Sequence, residues 1–137
     1  MDGIFSGFAA PLAGMAAERQ RMQVIATNIA NAGTISKDGP YVRRSVVFEE
    51  VLGTAVQGLA GTATPRVYLD THTEHPRVHS PGHPYADGEG FVRLPNVNIV
   101  FEQVDLLIAR RAYAANLAAF QAYRSLLRDA MAQIGAR

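Results

Sequence analysis

The sequence predicts a mainly α chain: long N- and C-terminal helices packed in coiled-coil fashion, with a small β-hairpin and loop segment between them. Three observations carry this. Six of the seven prolines lie between residues 40 and 95, and proline cannot sit inside a long helix without losing a hydrogen bond and clashing. The stretch before them carries an apolar heptad stripe. The stretch after them has no proline and carries two apolar stripes. The expected division is therefore 1–34 with 96–137 as one discontinuous helical domain, and 35–95 as a β and loop middle segment.

In the N-terminal stretch Phe8, Leu12, Met15, Met22, Ala26 and Ile29 follow heptad spacing, with Arg19 at the one polar position. That pattern packs one helix lengthwise on another. Ile25 widens the stripe. Pro11 stands in the first turn or at a kink, so the expected helix covers about residues 11–31. Asn31, Ala32 and Gly33 supply its stop, because Asn and Gly tolerate a left-handed cap.

Asn98 is the expected N-cap of a C-terminal helix reaching about residue 134. One of its stripes reads Ile108, Ala112, Ala115, Ala119, Ala122, Leu126; the other reads Tyr113, Leu117, Phe120, Leu127, Met131, Ile134. Residues 115 and 117 lie about 200° apart on a helix, so the stripes face opposite ways. Half of positions 109–122 are alanine, which permits close backbone approach. The alanine face is expected against the chain's own N-terminal helix, and the bulkier face against neighbours. A helix apolar on two faces must bury both. At about 55 Å it is too long for a core of this size to enclose, so the chain is built to pack side by side in an assembly.

The middle segment reads as strand and turn. Tyr41–Leu52 has a β-prone run at Ser45–Phe48, and Pro65–Asp70 reads as a strand with Arg77–Ser80 as its hairpin partner. Pro81–Pro84 is a turn, and Phe91–Leu94 a short extended piece ending at Pro95.

The 137 residues make one folding unit. There is no Cys, which excludes disulfides and thiolate chemistry. Net charge is +1, which argues against a nucleic-acid binder. Charged residues are 18% of the chain, below the usual figure of about 25%, as expected where much surface is hidden against partners. No stretch reaches the roughly 18 apolar residues of a membrane span. Residues 4–17 are apolar, but Asp2 precedes them and no cation comes before Arg19. No cleaved signal peptide is expected.

Candidate chemistry is thin. His72, His75, His79 and His83 fall within twelve residues. Their spacing converges only on a helix, which Pro76, Pro81 and Pro84 forbid, so no metal site is expected. A small secreted hydrolase using this loop as a metal site is the rival reading. Glu49 and Glu50 diverge in any regular structure, and Asp87 and Glu89 bracket glycines in a polar turn, so no catalytic pair is marked. Arg43-Arg44 and Arg110-Arg111 read as ion-pairing groups between packed subunits. Asn28, Asn31, Gly33, Asn96 and Asn98 stand at the two junctions between helix and middle, where amides satisfy orphan backbone groups. The expected packing residues are Phe8, Leu12, Met15, Met22, Ile25, Ile29, Ile108, Tyr113, Leu117, Phe120, Leu127 and Met131.

The junctions also carry a resemblance. Arg21–Ala32 (RMQVIATNIANA) resembles the N-terminal motif of the bacterial flagellar axial proteins. Pro40-Tyr41 followed by Arg43-Arg44 and Val46–Glu50 is similar to one branch of them. Pro81–Val92 (PGHPYADGEGFV) and Leu94–Asn98 (LPNVN) resemble its most distinctive stretch, and Ala109–Asn116 (ARRAYAAN) its C-terminal helix motif. Together they resemble the proximal-rod branch over most of residues 17–137, with another flagellar rod or hook-type axial subunit as the alternative within the family. The resemblance implies a structural protein with no cofactor and no small-molecule substrate. It implies export through the flagellar type III apparatus without cleavage. Its expected place is the basal-body rod in the periplasmic space, with copies of itself and other rod subunits as partners.

Overall fold

The computed structural model describes residues 2–50 and 63–135. Helix α1 spans Asp2–Ala30 and helix α2 spans Ile99–Gly135. Between them run β1 (Ile35–Ser36), β2 (Gly39–Pro40), β3 (Arg44–Glu50), β4 (Ala63–Leu69), β5 (Arg77–His79) and β6 (Phe91–Arg93). The chain is mainly α, as its proline placement predicts.

α1 begins nine residues earlier than expected and runs straight through Pro11. Proline has no N–H to give the carbonyl four residues back, which belongs to Gly7. The helix ends where expected, but by a different device. The Asn31 backbone N–H reaches the Thr27 carbonyl at 3.1 Å and its side-chain amide donates to the same carbonyl at 2.9 Å. Among the described glycines only Gly39 and Gly90 have positive φ, so Gly33 makes no left-handed cap. Asn98 caps α2 as expected: its Oδ1 accepts from the Val100 and Phe101 amides at 3.0 and 3.3 Å.

The helices run antiparallel. Gly7 faces Tyr123, Gly14 faces Asn116, and Asn28 faces Glu102. The first two levels are one heptad apart on both helices, and the third lies two heptads further. A Cβ on Gly14 would sit 2.7 Å from the Asn116 amide, and one on Gly7 would collide with the Tyr123 ring. Small residues of α1 thus receive large ones of α2, which lets the axes approach. Phe8 closes this end, with ring centroids 5.1 Å from Phe120 and 4.7 Å from Tyr123.

The seam is rotated from the expected stripe. Phe8, Met15, Met22 and Ile29 are half-buried, whereas Leu12, Arg19 and Ala26 are exposed. Pro11, Glu18 and Ile25 take the inner positions instead, beside Gly14, Arg21 and Asn28. On α2, Ala109 is fully buried and Tyr113, Asn116, Phe120, Tyr123 and Leu127 follow it. The expected stripes are therefore split over residues 113–127: Tyr113, Phe120 and Leu127 of the bulkier one turn to the seam, and Leu117 turns outward. Phe120 belongs to the chain's own seam, while Ala115 and Ala119 are exposed.

Strand pairing also differs from expectation. β4 pairs antiparallel with β3, placing Val46 opposite Val67 and Phe48 opposite Pro65, and β5 pairs with β6. A seven-residue strand finds seven partners in β3, and β5 has only three to offer. β3 and β4 both pack on α1. Val51 and Leu52, at the end of the expected β stretch, lie outside the described residues.

Candidate assembly surface and its polar junction

The two helices meet the middle segment at a buried cluster of polar groups. Glu102 is 1% exposed and Asn28 0%. Both lie on the inner face by heptad period: Glu102 is in phase with Ala109 and Asn116, and Asn28 with Gly7 and Gly14. Asn28 uses both ends of its amide. Its Nδ2 donates to Glu102 Oε2 at 3.0 Å and to the Arg44 carbonyl at 2.7 Å. Its Oδ1 accepts from the Tyr41 hydroxyl at 2.9 Å and the Arg44 amide at 3.0 Å. Burial pushes the Tyr41 hydroxyl pKa up, against the opposing pull of Arg44, so the phenol remains a donor.

Arg43 supplies the countercharge. Its Nε lies 2.6 Å from Glu102 Oε1. Its terminal nitrogens lie 3.7 Å from Asp70 and 3.8 Å from Asp105. A buried carboxylate requires such a partner, since an isolated one would be costly to desolvate. Asn96 completes the junction. Its Oδ1 accepts from the Arg43 amide at 2.7 Å, and its Nδ2 donates to the Asp70 and Thr73 carbonyls at 2.9 and 3.1 Å. Asp70 also accepts from the Thr73 amide and hydroxyl and from the His72 amide. The Thr73 bonds come first in holding its carboxyl below the usual carboxylate range.

Asn28 and Asn96 therefore do more than cap: each ties the middle segment to a helix end. Asn98 and Asn31 serve as local helix terminators. Gly33 is exposed with open space around it. Arg43, expected to pair between subunits, spends its charge inside the chain. The sequence reading missed Glu102 and Asp105. The available signal was an acidic residue in heptad phase with Ala109, where an apolar one belongs.

The histidines are used locally. His75 Nδ1 lies 2.7 Å from the Leu94 carbonyl, and His79 stands edge-on to Phe91 with ring centroids 5.0 Å apart. His83 Nδ1 accepts from the Tyr85 amide. Among the described residues no group of three or more His, Cys, Asp or Glu is placed to hold a metal ion. No described helix is long and apolar enough to cross a membrane.

Large apolar side chains also remain exposed. Val100, Phe101, Val104, Leu107 and Ile108 form an outer face on the first turns of α2, with Phe101 68% exposed. Leu117, Leu126, Met131 and Ile134 continue the exposure toward the other end, and Leu12 adds to it from α1. Val67 and Leu69 are exposed on the β3–β4 ribbon. A monomer rarely leaves that much large apolar surface in water without a partner to cover it.

Comparison with known proteins gives this surface a setting. Residues 89–134 match the family model described as the C-terminal part of the flagellar basal body rod FlgEFG proteins. The chain is 39% identical to the flagellar basal-body rod protein FlgC of Aquifex aeolicus, over 88% of this chain and 89% of that one. The chain belongs to the flagellar basal-body rod protein FlgC family. The FlgC of Salmonella typhimurium is 35% identical, covering 82% of this chain and 84% of its own. That of Borreliella burgdorferi is 32% identical, covering 95% and 97%. As a FlgC-family member the chain is a structural subunit of the flagellar basal-body rod, not an enzyme. The hydrolase reading finds no support.

Proposed function

We propose that the chain builds the proximal rod by lengthwise packing of its terminal helices, and so transmits torque through the cell envelope. Its partners are copies of itself and other rod subunits. It crosses the inner membrane through the flagellar type III export apparatus without cleavage and assembles in the periplasmic space. Within this reading the helix pair is one unit and residues 35–95 another, joined at the Asn28–Glu102–Arg43 junction. Of the residues expected to pack between subunits, Leu12, Ile108, Leu117 and Met131 are exposed and available for neighbours. Phe8, Tyr113, Phe120 and Leu127 hold the helix pair together first.

The observation that supports this best is the outer face of α2, from Val100 to Ile108, whose large apolar side chains lie in water along more than two turns. Apolar area removed from water contributes about 25 cal/mol per Å², and a helical assembly collects that term at every copy. The test is Val104→Glu in a strain lacking its own copy of this protein. The isolated variant should keep its helical content, since Val104 is exposed. It should be exported but missing from purified basal bodies, and the cells should not swim. Normal incorporation of Val104→Glu would overturn the reading.

A further inference from the structure

The middle segment repeats one dipeptide, Asp-Gly, in two turns that the fold treats differently. Asp38-Gly39 lies at the β1–β2 hairpin turn, and Asp87-Gly88 lies in the loop before β6. Both aspartates are exposed and line the same open cleft of about 250 Å³, so water reaches them alike. Their carboxylates are held differently. Asp87 Oδ1 accepts from the Glu89 and Phe91 amides at 3.0 and 2.8 Å, and its Oδ2 accepts from Arg77 Nη2 at 2.8 Å. The Phe91 amide comes first in holding this carboxyl below the usual carboxylate range. The Asp38 carboxylate makes no hydrogen bond or ion pair among the described residues. Its neighbour Gly39 has nothing within 4 Å of an added Cβ, so the approach to that backbone is open. The β1–β2 ladder has only two residue pairs, Ile35 with Pro40 and Ser36 with Gly39, and Pro40 has no N–H to add to it. So short a ladder opens at little cost.

We infer that Asp38 is a site of spontaneous covalent modification, at which the Gly39 nitrogen closes on the free Asp38 carboxyl and the ring reopens as isoaspartate, while the hydrogen-bonded Asp87 is protected. The Gly39 nitrogen bonds to Asp38 Cγ and gives up its proton, and one carboxyl oxygen leaves as water. The product is a succinimide. Water then adds to one of the two ring carbonyls. Addition at Cγ breaks the new bond and restores aspartate. Addition at the Asp38 backbone carbonyl breaks the original peptide bond and leaves Gly39 joined through Cγ. Nothing is oxidised or reduced, and the net change is an isomerisation. At Asp87 the same attack would first have to free the carboxylate from three donors. Isoaspartate at 38 carries the main chain through Cβ and so lengthens it by one atom inside the hairpin. Just beyond, the Tyr41 amide donates to the Thr34 carbonyl at 3.0 Å and the Tyr41 hydroxyl to Asn28. The modification therefore strains the strand that leads into the buried polar junction.

Two identical dipeptides in one chain make the test internally controlled. The full-length protein is incubated folded at neutral pH, and in parallel in concentrated urea. Each sample is then digested with an endoproteinase that cleaves before aspartate and not before isoaspartate, and the uncut peptides are counted by mass spectrometry. In the folded chain isoaspartate should accumulate several-fold faster at 38 than at 87. In urea the two rates should converge, because the hydrogen bonds that protect Asp87 are gone. Asp38→Glu should abolish the product at 38, since its longer side chain would have to close a larger ring, and should leave the rate at 87 unchanged. Equal rates at the two sites of the folded chain would overturn the inference. So would a folded chain without isoaspartate at 38 when the urea sample forms it. A difference of the same size in urea would also overturn it, by assigning the preference to flanking sequence and not to the fold.

Discussion

Asn28 and Glu102, 74 residues apart in sequence, share a 3.0 Å hydrogen bond where both helices meet the middle segment. One bond thereby fixes the helix register and the point at which β3 leaves it, because the same Asn28 amide also grips both backbone groups of Arg44. Arg43 draws Asp70 and Asp105 into the same arrangement. Sliding α1 by a single residue would separate Asn28 from Glu102 and leave buried polar groups without partners.

Glu102→Ala should therefore be among the most damaging single changes. Removing one partner of a buried ion pair costs about 3–5 kcal/mol. The half-buried Arg43 can recover some hydration, which favours the lower end. The shift in urea midpoint at constant slope measures it. An unfolding free energy within about 0.5 kcal/mol of the parent, the usual range for surface changes, would show that the junction contributes little.

Acid should loosen this junction. The folded-state pKa of Asp70 is lowered, chiefly by the Thr73 bonds, so between the unfolded value of about 3.9 and the folded one the unfolded chain binds more protons. Stability then rises with pH in that window, and the Asp70 contribution is lost as pH falls through the folded value. Asp70→Asn should flatten the dependence below about pH 4. An unchanged acid limb in Asp70→Asn would remove Asp70 from the account.

Gly14 and Asn116 form a packed pair, so their substitutions should couple. Gly14→Val overfills the seam, at about 1–3 kcal/mol. Combining it with Asn116→Ala opens the space that the valine needs. The double variant should be more stable than the sum of the singles, by the roughly 0.5–3 kcal/mol expected for contacting residues. Strict additivity in thermal unfolding would mean that the helices do not approach closely at this level.

Phe120→Ala and Ala119→Leu should separate folding from assembly. Phe120 packs on Phe8, so its truncation weakens the helix pair itself. The cost lies below the roughly 3–5 kcal/mol of a fully buried aromatic. Ala119 is exposed, so leucine there should leave the isolated fold intact and act on neighbour contacts. Comparing helical content of the isolated chain with the amount incorporated into basal bodies distinguishes them. A destabilised Ala119→Leu beside a fully stable Phe120→Ala would restore the opposite assignment of faces.

Two glycines should respond differently. Gly90 holds φ at +80°, and an added Cβ would lie 3.1 Å from Pro81 Cβ. Gly90→Ala should cost about 1–2 kcal/mol for the left-handed backbone alone. Gly33 has no atom within 4 Å of an added Cβ, and Gly33→Ala should stay within about 0.5 kcal/mol of the parent. Denaturant midpoints of the two variants check the contrast. Equal losses would mean that the left-handed backbone at Gly90 adds nothing to the cost.

Proline placement and heptad spacing in the sequence determined two terminal helices, their breaks near residues 31 and 98, and strands near 45–48, 65–70 and 91–94. The motifs at the junctions determined the family. The two opposed stripes of α2 determined that one chain could not cover all of its apolar surface. Only the tertiary structure decided which residues fill the seam, because hydrophobic spacing scores Leu12 and Phe120 alike and cannot register volume. Gly7 and Gly14 lie inside because Tyr123 and Asn116 need their space. It also decided that β4 pairs with β3 and that Arg43 serves Glu102 within the chain. Those choices depend on polar groups meeting partners up to 74 residues away, and a buried carboxylate is tolerated only where such partners converge.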